Sequence, residues 1–180
     1  MISGISADGI CEKLKSTFDK CGDFNLRPVL CAGKAVYLAN IGNFSGRTYI
    51  TESVVKPLIA ADAPPDDDTA FEGILCSSEA EALSDYEAIC QKVLAGSAVI
   101  FTDIPEGVSA YAASARNDPS RSVGEPENEV VVRGPREGFT ECFMPNLALI
   151  RRRVRDTRLK FSFLRVGGRT NTAVCLCYID

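Results

Sequence analysis

Residues 133–141 hold the side chains most able to do chemistry: Arg133, Arg136, Glu137 and Glu141 around one aromatic, Phe139. Gly134 and Gly138 permit positive φ, and Pro135 steers Gly134 away from the helical region. Neither a helix interior nor a central strand accommodates that mixture, so a rigid, charged loop is expected. Paired carboxylates such as Glu137 and Glu141 suggest acid–base work. The arginines on both sides would hold both ionised, which removes one as a general acid. Two readings remain open for the loop: a charge-paired hinge, or an Arg–Glu clasp that only staples two layers. In either case Phe139 is expected to anchor the loop in the core.

Other chemistry is sparse. The chain has no histidine, which removes imidazole general acids and bases, Ser–His and Cys–His dyads, and imidazole zinc sites. The eight cysteines show no C-x-x-C spacing and mostly lie in apolar segments, as reduced, buried thiols do. Asp66-Asp67-Asp68 resembles a cation site only on paper, because adjacent side chains diverge and no fourth ligand is evident. No G-x-x-x-x-G-K phosphate loop is present. No metal or cofactor is expected, and a non-catalytic protein is the better reading.

The second polar concentration is Arg151, Arg152, Arg153, Arg155, Arg158 and Lys160. At 100° per residue Arg152 lies opposite the stripe Leu147, Ile150 and Val154, with Arg151 and Arg153 on its flanks. A solvated face with heads reaching Glu137 or Glu141 is the plain reading; a protein or anionic-lipid contact is the sharper one. Nucleic acid is the runner-up class, with Phe161 and Phe163 as stacking residues. That alternation also suits a half-buried strand, and the pI near 5.0 argues against nucleic acid.

The 180 residues, 46% hydrophobic and 24% charged, suit a soluble globular chain with a sizeable core. No apolar run approaches the ~20 residues of a membrane-spanning helix. The net charge of −4 hides a split: 9 basic and 17 acidic side chains up to residue 120, then 11 basic and 7 acidic. Two parts with different surroundings are implied.

The elements that must position these residues are hairpins and helices. An apolar stripe predicts a helix over 5–20, ended by Cys21-Gly22-Asp23. Phe24–Cys31 and Ala35–Ile41 read as a hairpin. Thr51 or Ser53 could cap a helix running to Ala61, with Pro57 near its first turn. Ile74–Cys76 reads as a short strand, and Ser78-Glu79-Ala80-Glu81 as a capping box opening a helix that ends at Gly96. Ser97–Asp103 with Val108–Ala113 make a second hairpin, followed by a short strand at Val130–Val132. A helix is expected from Met144 to Val154 with Pro145 in its first turn, then a third hairpin over 159–179. The class is α/β in the α+β sense: two small lobes of hairpins and mixed sheet packed with helices.

With the elements placed, Arg121-Ser122-Val123-Gly124-Glu125-Pro126-Glu127, the 133–141 run, Asn146 and Leu149-Ile150-Arg151-Arg152-Arg153-Val154 stand in a familiar order and spacing. The chain resembles the soluble N-terminal domain of the GerA-type spore germination receptors, in their A subunit, most densely from Gly96 to Asp180. The resemblance implies two α/β subdomains. It assigns residues 1–132 to the first, 133–141 to an inter-lobe charged loop, and 142–180 to the start of an incomplete second. It also implies membrane helices further along the full-length protein, B- and C-type partner subunits, and a place in the spore inner membrane facing the core. The binding or interface residues it points to are Arg133, Arg136, Glu137, Phe139, Glu141, Asn146, Arg151, Arg152 and Arg153. Gly134, Pro135, Gly138, Arg121, Glu125 and Pro126 are its structural motif. The function implied is a receptor domain working through protein contacts and ligand sensing. The alternative is a stand-alone small-ligand- or nucleic-acid-binding module using 151–160. Because the chain ends while the second subdomain would be gaining strands, its last hairpin is expected to expose an uncovered edge that invites self-association.

Overall fold

A computed structural model describes residues 1–42, 44–67, 69–75, 80–115 and 138–180. The predicted strand Val130–Val132, the Arg121–Glu127 motif and Arg133, Gly134, Pro135, Arg136 and Glu137 lie outside the described residues. The fold is α+β, as expected.

Helix α1 (Ala7–Thr17) starts where the Ser6 hydroxyl accepts from Gly9 N and buries Ala7, Ile10, Cys11 and Leu14. Strands β1 (Phe24–Cys31) and β2 (Lys34–Ile41) form the first hairpin, in register from Phe24↔Ile41 to Cys31↔Lys34. The next helix opens earlier than its capping residues suggest. It runs from α2 (Arg47–Ile50) through a π-helical stretch (Thr51–Val55) into α3 (Lys56–Ala60). Pro57 lacks an N–H and its ring crowds the carbonyl four residues back, a conflict that the wider π turn just before it relieves.

Two expectations fail between residues 70 and 85. Ile74 ends a short helix, α4 (Ala70–Ile74), rather than starting a strand. Ser78 and Glu79 lie outside the described residues, and the proposed capping box is instead occupied at Ala80–Ala82 by strand β3. The true cap is Asp85, whose carboxylate accepts from Ala88 N at 2.8 Å to open α5 (Tyr86–Leu94). An aspartate directly before an apolar helical period is the better N-cap, while β3 covers backbone that β5 would otherwise expose. Strands β4 (Ala98–Ile104) and β5 (Gly107–Ala113) form the second hairpin.

The five strands make one antiparallel sheet in the order β1-β2-β4-β5-β3. One face packs Ile41, Val99, Phe101 and Val108 against α1 and α5. The other packs Val36, Leu38, Ile100 and Tyr111 against Val54, Leu58 and Phe71. Alternate residues of each central strand therefore enter opposite cores, which is why these strands read as nearly unbroken apolar runs.

The C-terminal unit is smaller. Helix α6 (Phe143–Arg153) carries Pro145 in its first turn, and β6 (Leu159–Val166) pairs with β7 (Thr172–Ile179) in a separate two-stranded sheet. Its own core is Leu147, Leu159 and Phe161, with Phe143, Ile150 and Cys175 alongside. Beyond Phe161 the hairpin is largely exposed: Leu164, Val166, Leu176 and Ile179 each retain 44–57% of their accessible surface.

Candidate functional site

The two units meet through three stretches distant in sequence: Cys21–Asp23, the last turn of α6, and the start of β6. The first is shaped by the end of α1. Phe18 stacks on Phe24 with ring centroids 4.4 Å apart, which folds the intervening residues into a tight reversal. Gly22 N donates to Phe161 O at 2.9 Å, and Cys21 bridges Phe161 in parallel fashion. A Cβ at Gly22 would stand 2.8 Å from that carbonyl and 2.7 Å from the Phe163 ring, so a larger residue would push the two units apart. The Cys21 thiol points at Leu159 O, 3.5 Å away, and burial pushes its pKa up.

At the centre is an ion pair shut off from solvent. Arg151 Nε donates to Asp23 Oδ2 at 2.8 Å and Nη2 donates to Oδ1 at 3.0 Å, with side-chain exposures of 0% and 1%. Nη1 donates to Asp156 O at 3.2 Å, and the guanidinium lies 4.8 Å from the Phe161 ring centroid. Burial pulls the guanidinium pKa down, but the hydrogen bonds and charge of Asp23 outweigh it and leave it raised. This is the planar fork-to-carboxylate geometry that arginine supplies and lysine does not. Lys160 is also buried, with its ammonium 3.5 Å from Thr17 O at the C-terminal end of α1.

The sequence pattern misplaces Arg151, which belongs to no solvated face. Helix α6 is gripped from two sides: Ala148 enters the core between the large sheet and α1, while Leu147 packs with Leu159 and Phe161. That widens its buried arc enough to take in Arg151, whereas Val154, expected in the apolar stripe, is 36% exposed. Arg152 is half-buried and Arg153 exposed. With Arg151 and Lys160 buried, residues 151–160 do not form a free basic stripe. Phe161 is buried as a core residue, and Phe163 sits half-exposed against Phe143 with ring centroids 6.1 Å apart.

The loop residues that are described do not converge on the junction. Phe139 is 70% exposed rather than anchored in the core, and Glu141 is exposed and paired with no described residue. Gly138 is partly buried. Asn146 clamps the loop exit onto α6: its Oδ1 accepts from Thr140 N at 2.9 Å and its Nδ2 donates to Thr140 O at 2.8 Å. The acidic triplet is likewise structural where described. Asp66 pairs with Lys34, and Asp67 accepts from Thr69 N. Cys11, Cys21, Cys31 and Cys90 are buried free thiols, but Cys142 and Cys177 are exposed, against expectation.

Sequence reasoning missed Asp23 altogether. It is separated from Arg151 by 128 positions, and its only local signal is an acid placed between a helix stop and an apolar strand.

The geometry defines an α+β domain in which a hairpin unit is bolted to a larger sheet unit by a buried ion pair. Residues 12–180 match the family model for the Bacillus/Clostridium GerA spore germination protein, and the chain belongs to that family. Stage V sporulation protein AF of Bacillus subtilis (strain 168) is 31% identical over 163 residues, covering 88% of this chain and 32% of that protein. Spore germination protein KA of the same organism is 30% identical over 134 residues, covering 73% and 24%. Spore germination protein GerLA of Bacillus cereus is 28% identical over 183 residues, covering 94% and 36%. The chain thus spans between a quarter and just over a third of these curated relatives. The crystal structure of the N-terminal domain of the A subunit of the Bacillus megaterium spore germinant receptor GerK3 shares the fold. It superposes with a TM-score of 0.61 at 15% identity, covering 97% of this chain and 64% of that one. The family ties the chain to spore germination. Among the described residues no helix is long and apolar enough to cross a membrane.

Proposed function

We propose that the chain is a non-catalytic soluble domain of a nutrient germinant receptor subunit that passes a germination signal through the junction of two lobes. Residues 1–132 form the first lobe, 142–180 begin the second, and the charged loop 133–141 joins them. The observation that carries this reading is the solvent-free Asp23–Arg151 pair. A bidentate pair with no water to replace either partner has two well-separated states, docked and undocked, and so couples the units in an all-or-none way. The charged residues Arg133, Arg136, Glu137 and Glu141 of the connecting segment serve the same coupling, with Arg152 and Arg153 facing partner chains.

The partners that fit are B- and C-type receptor subunits and the membrane-embedded remainder of the A subunit, at the spore inner membrane with this domain facing the core. The exposed apolar hairpin, which pairs with no third strand among the described residues, supports contact with a partner chain or a second copy. Ligand sensing belongs to the same reading.

Spores carrying the full-length receptor with Arg151→Lys test the proposal. The charge is kept but the fork is lost, so germination should slow markedly while receptor abundance is unchanged. Germination at the wild-type rate, in a variant whose isolated domain shows altered packing of α6 on Asp23, would remove the signalling role. Arg136→Ala should weaken the same response and leave the first lobe folded.

A further inference from the structure

On the sheet face that packs α2 and α3, the apolar core stops short at one end. In its place is a cavity of about 350 Å³ lined by Asn25, Arg27, Asn40, Gly42, Arg47 and Ile50, together with Ser45 and Thr51. Asn25 and Asn40 are cross-strand partners in the β1–β2 register, and Arg27, two residues along β1, shares their face. Arg47 reaches the cavity from the first position of α2. Among the described residues the lining thus holds two guanidiniums and two primary amides, and no carboxylate.

None of these four side chains has a partner among the described residues. The two hydroxyls are committed elsewhere: Ser45 Oγ donates to Gly96 O at 2.9 Å, and Thr51 Oγ1 to Arg47 O at 3.0 Å. Asn40 is the most enclosed of the four, 8% exposed, and its amide makes no hydrogen bond to a described residue. What surface its amide keeps is therefore open for a ligand to complete with hydrogen bonds. Gly42 keeps the space open, since a Cβ there would stand 2.6 Å from Asn25 Nδ2.

We infer that this cavity is a binding site for a small oxyanion, a carboxylate or phosphate group carried by a small polar solute. Arg27 and Arg47 hold the anionic oxygens, and Asn25 and Asn40 give the neutral part of the solute both donors and acceptors. Two arginines lining one cavity, with no carboxylate among its described lining residues, favour such a group, because planar forks match its oxygens in pairs. The volume falls in the range of small-molecule sites and is too small for a peptide strand or a helix. The cavity adjoins the junction, since Gly42 N donates to Asp23 O at 2.8 Å, but neither Asp23 nor Arg151 lines it, so it can hold or fail independently of the signalling reading.

The test is titration of the 180-residue chain with succinate and, separately, inorganic phosphate, against sodium chloride at equal ionic strength. Thermal unfolding and side-chain amide NMR signals are the readouts. At least one of the two anions should raise the unfolding temperature beyond chloride and shift the Asn25 and Asn40 amide signals. Saturation by succinate assigns a carboxylate, and saturation by phosphate a phosphate ester or free phosphate. Arg47→Gln and Arg27→Gln change exposed residues, and each should weaken binding roughly tenfold or more. Asn40→Asp, which puts a negative charge in the cavity, should abolish it. A response to both anions no larger than that to chloride overturns the proposal, as does one that survives in the Arg27→Gln/Arg47→Gln double variant.

Discussion

The large sheet and the C-terminal hairpin are both antiparallel β-structure, yet they are held in place by different physics. The five-stranded sheet is covered on both faces, and its central residues Val99, Ile100, Phe101, Val108 and Ala110 are completely buried. The β6–β7 hairpin is covered over its first three β6 residues only and leaves Leu164, Val166, Leu176 and Ile179 to solvent. A two-stranded hairpin is marginal on its own. Its order must come from what it docks on: the Asp23–Arg151 pair, the Gly22–Phe161 backbone bond and the Leu147/Phe161 cluster. Two sheets with similar local sequence can therefore differ in whether stability is their own or borrowed.

The largest effect that should expose this difference is Asp23→Ala. It strands a buried guanidinium, and losing one partner of such a pair costs about 3–5 kcal/mol. The loss should fall on the C-terminal unit, so two-probe denaturation would show α6 and the hairpin releasing before the large sheet. Gly22→Ala should act in the same direction by about 1–3 kcal/mol, because its Cβ collides with the Phe161 backbone carbonyl as well as with the Phe163 ring. Asn146→Ala removes two bonds to Thr140 and should cost about 1–2 kcal/mol. It should free the 138–140 segment to proteolysis while leaving the Asp23–Arg151 pair intact.

Alkali should weaken the five-stranded unit as well. Burial, aided by Asp8, lifts the Cys11 thiol from 9.0 to about 11, and a hydrogen bond to Asp8 lifts Tyr37 from 10.0 to about 12. Both groups stay neutral in the folded chain at a pH where the unfolded chain would ionise them. Their contribution is fully present below about pH 9 and is lost as the pH rises towards about 12. Both sit in the five-stranded unit. Urea midpoints for that unit, measured by circular dichroism, should fall between about pH 9 and about pH 12, and Cys11→Ala should flatten part of the fall.

Most of the fold was legible in the sequence because it is written locally. Period-two apolar runs with short turns marked all three hairpins, and the apolar stripes of α1 and α6 marked those helices to within a few residues. The errors came where long-range pairing overrides local preference. Ala80–Ala82 is helix-forming by composition and becomes strand because β5 offers an open edge. Arg151 is polar by type and becomes core because α6 is enclosed from two directions. The candidate site was half legible. Arg151 and Asn146 stood out, but Asp23 did not, since nothing near it in sequence signals an arginine 128 positions away. The oxyanion cavity was not legible at all, because it depends on the β1–β2 register and on where α2 begins.

Native-state hydrogen exchange on Asp23→Asn, compared with the unaltered chain, tests the central claim most directly. This variant keeps the side-chain shape and removes the charge that Arg151 needs. The β6–β7 amides should lose protection by orders of magnitude while those of β2, β4 and β5 keep theirs. Equal loss in both sheets, or none in either, would contradict a hairpin unit held in place by the buried pair.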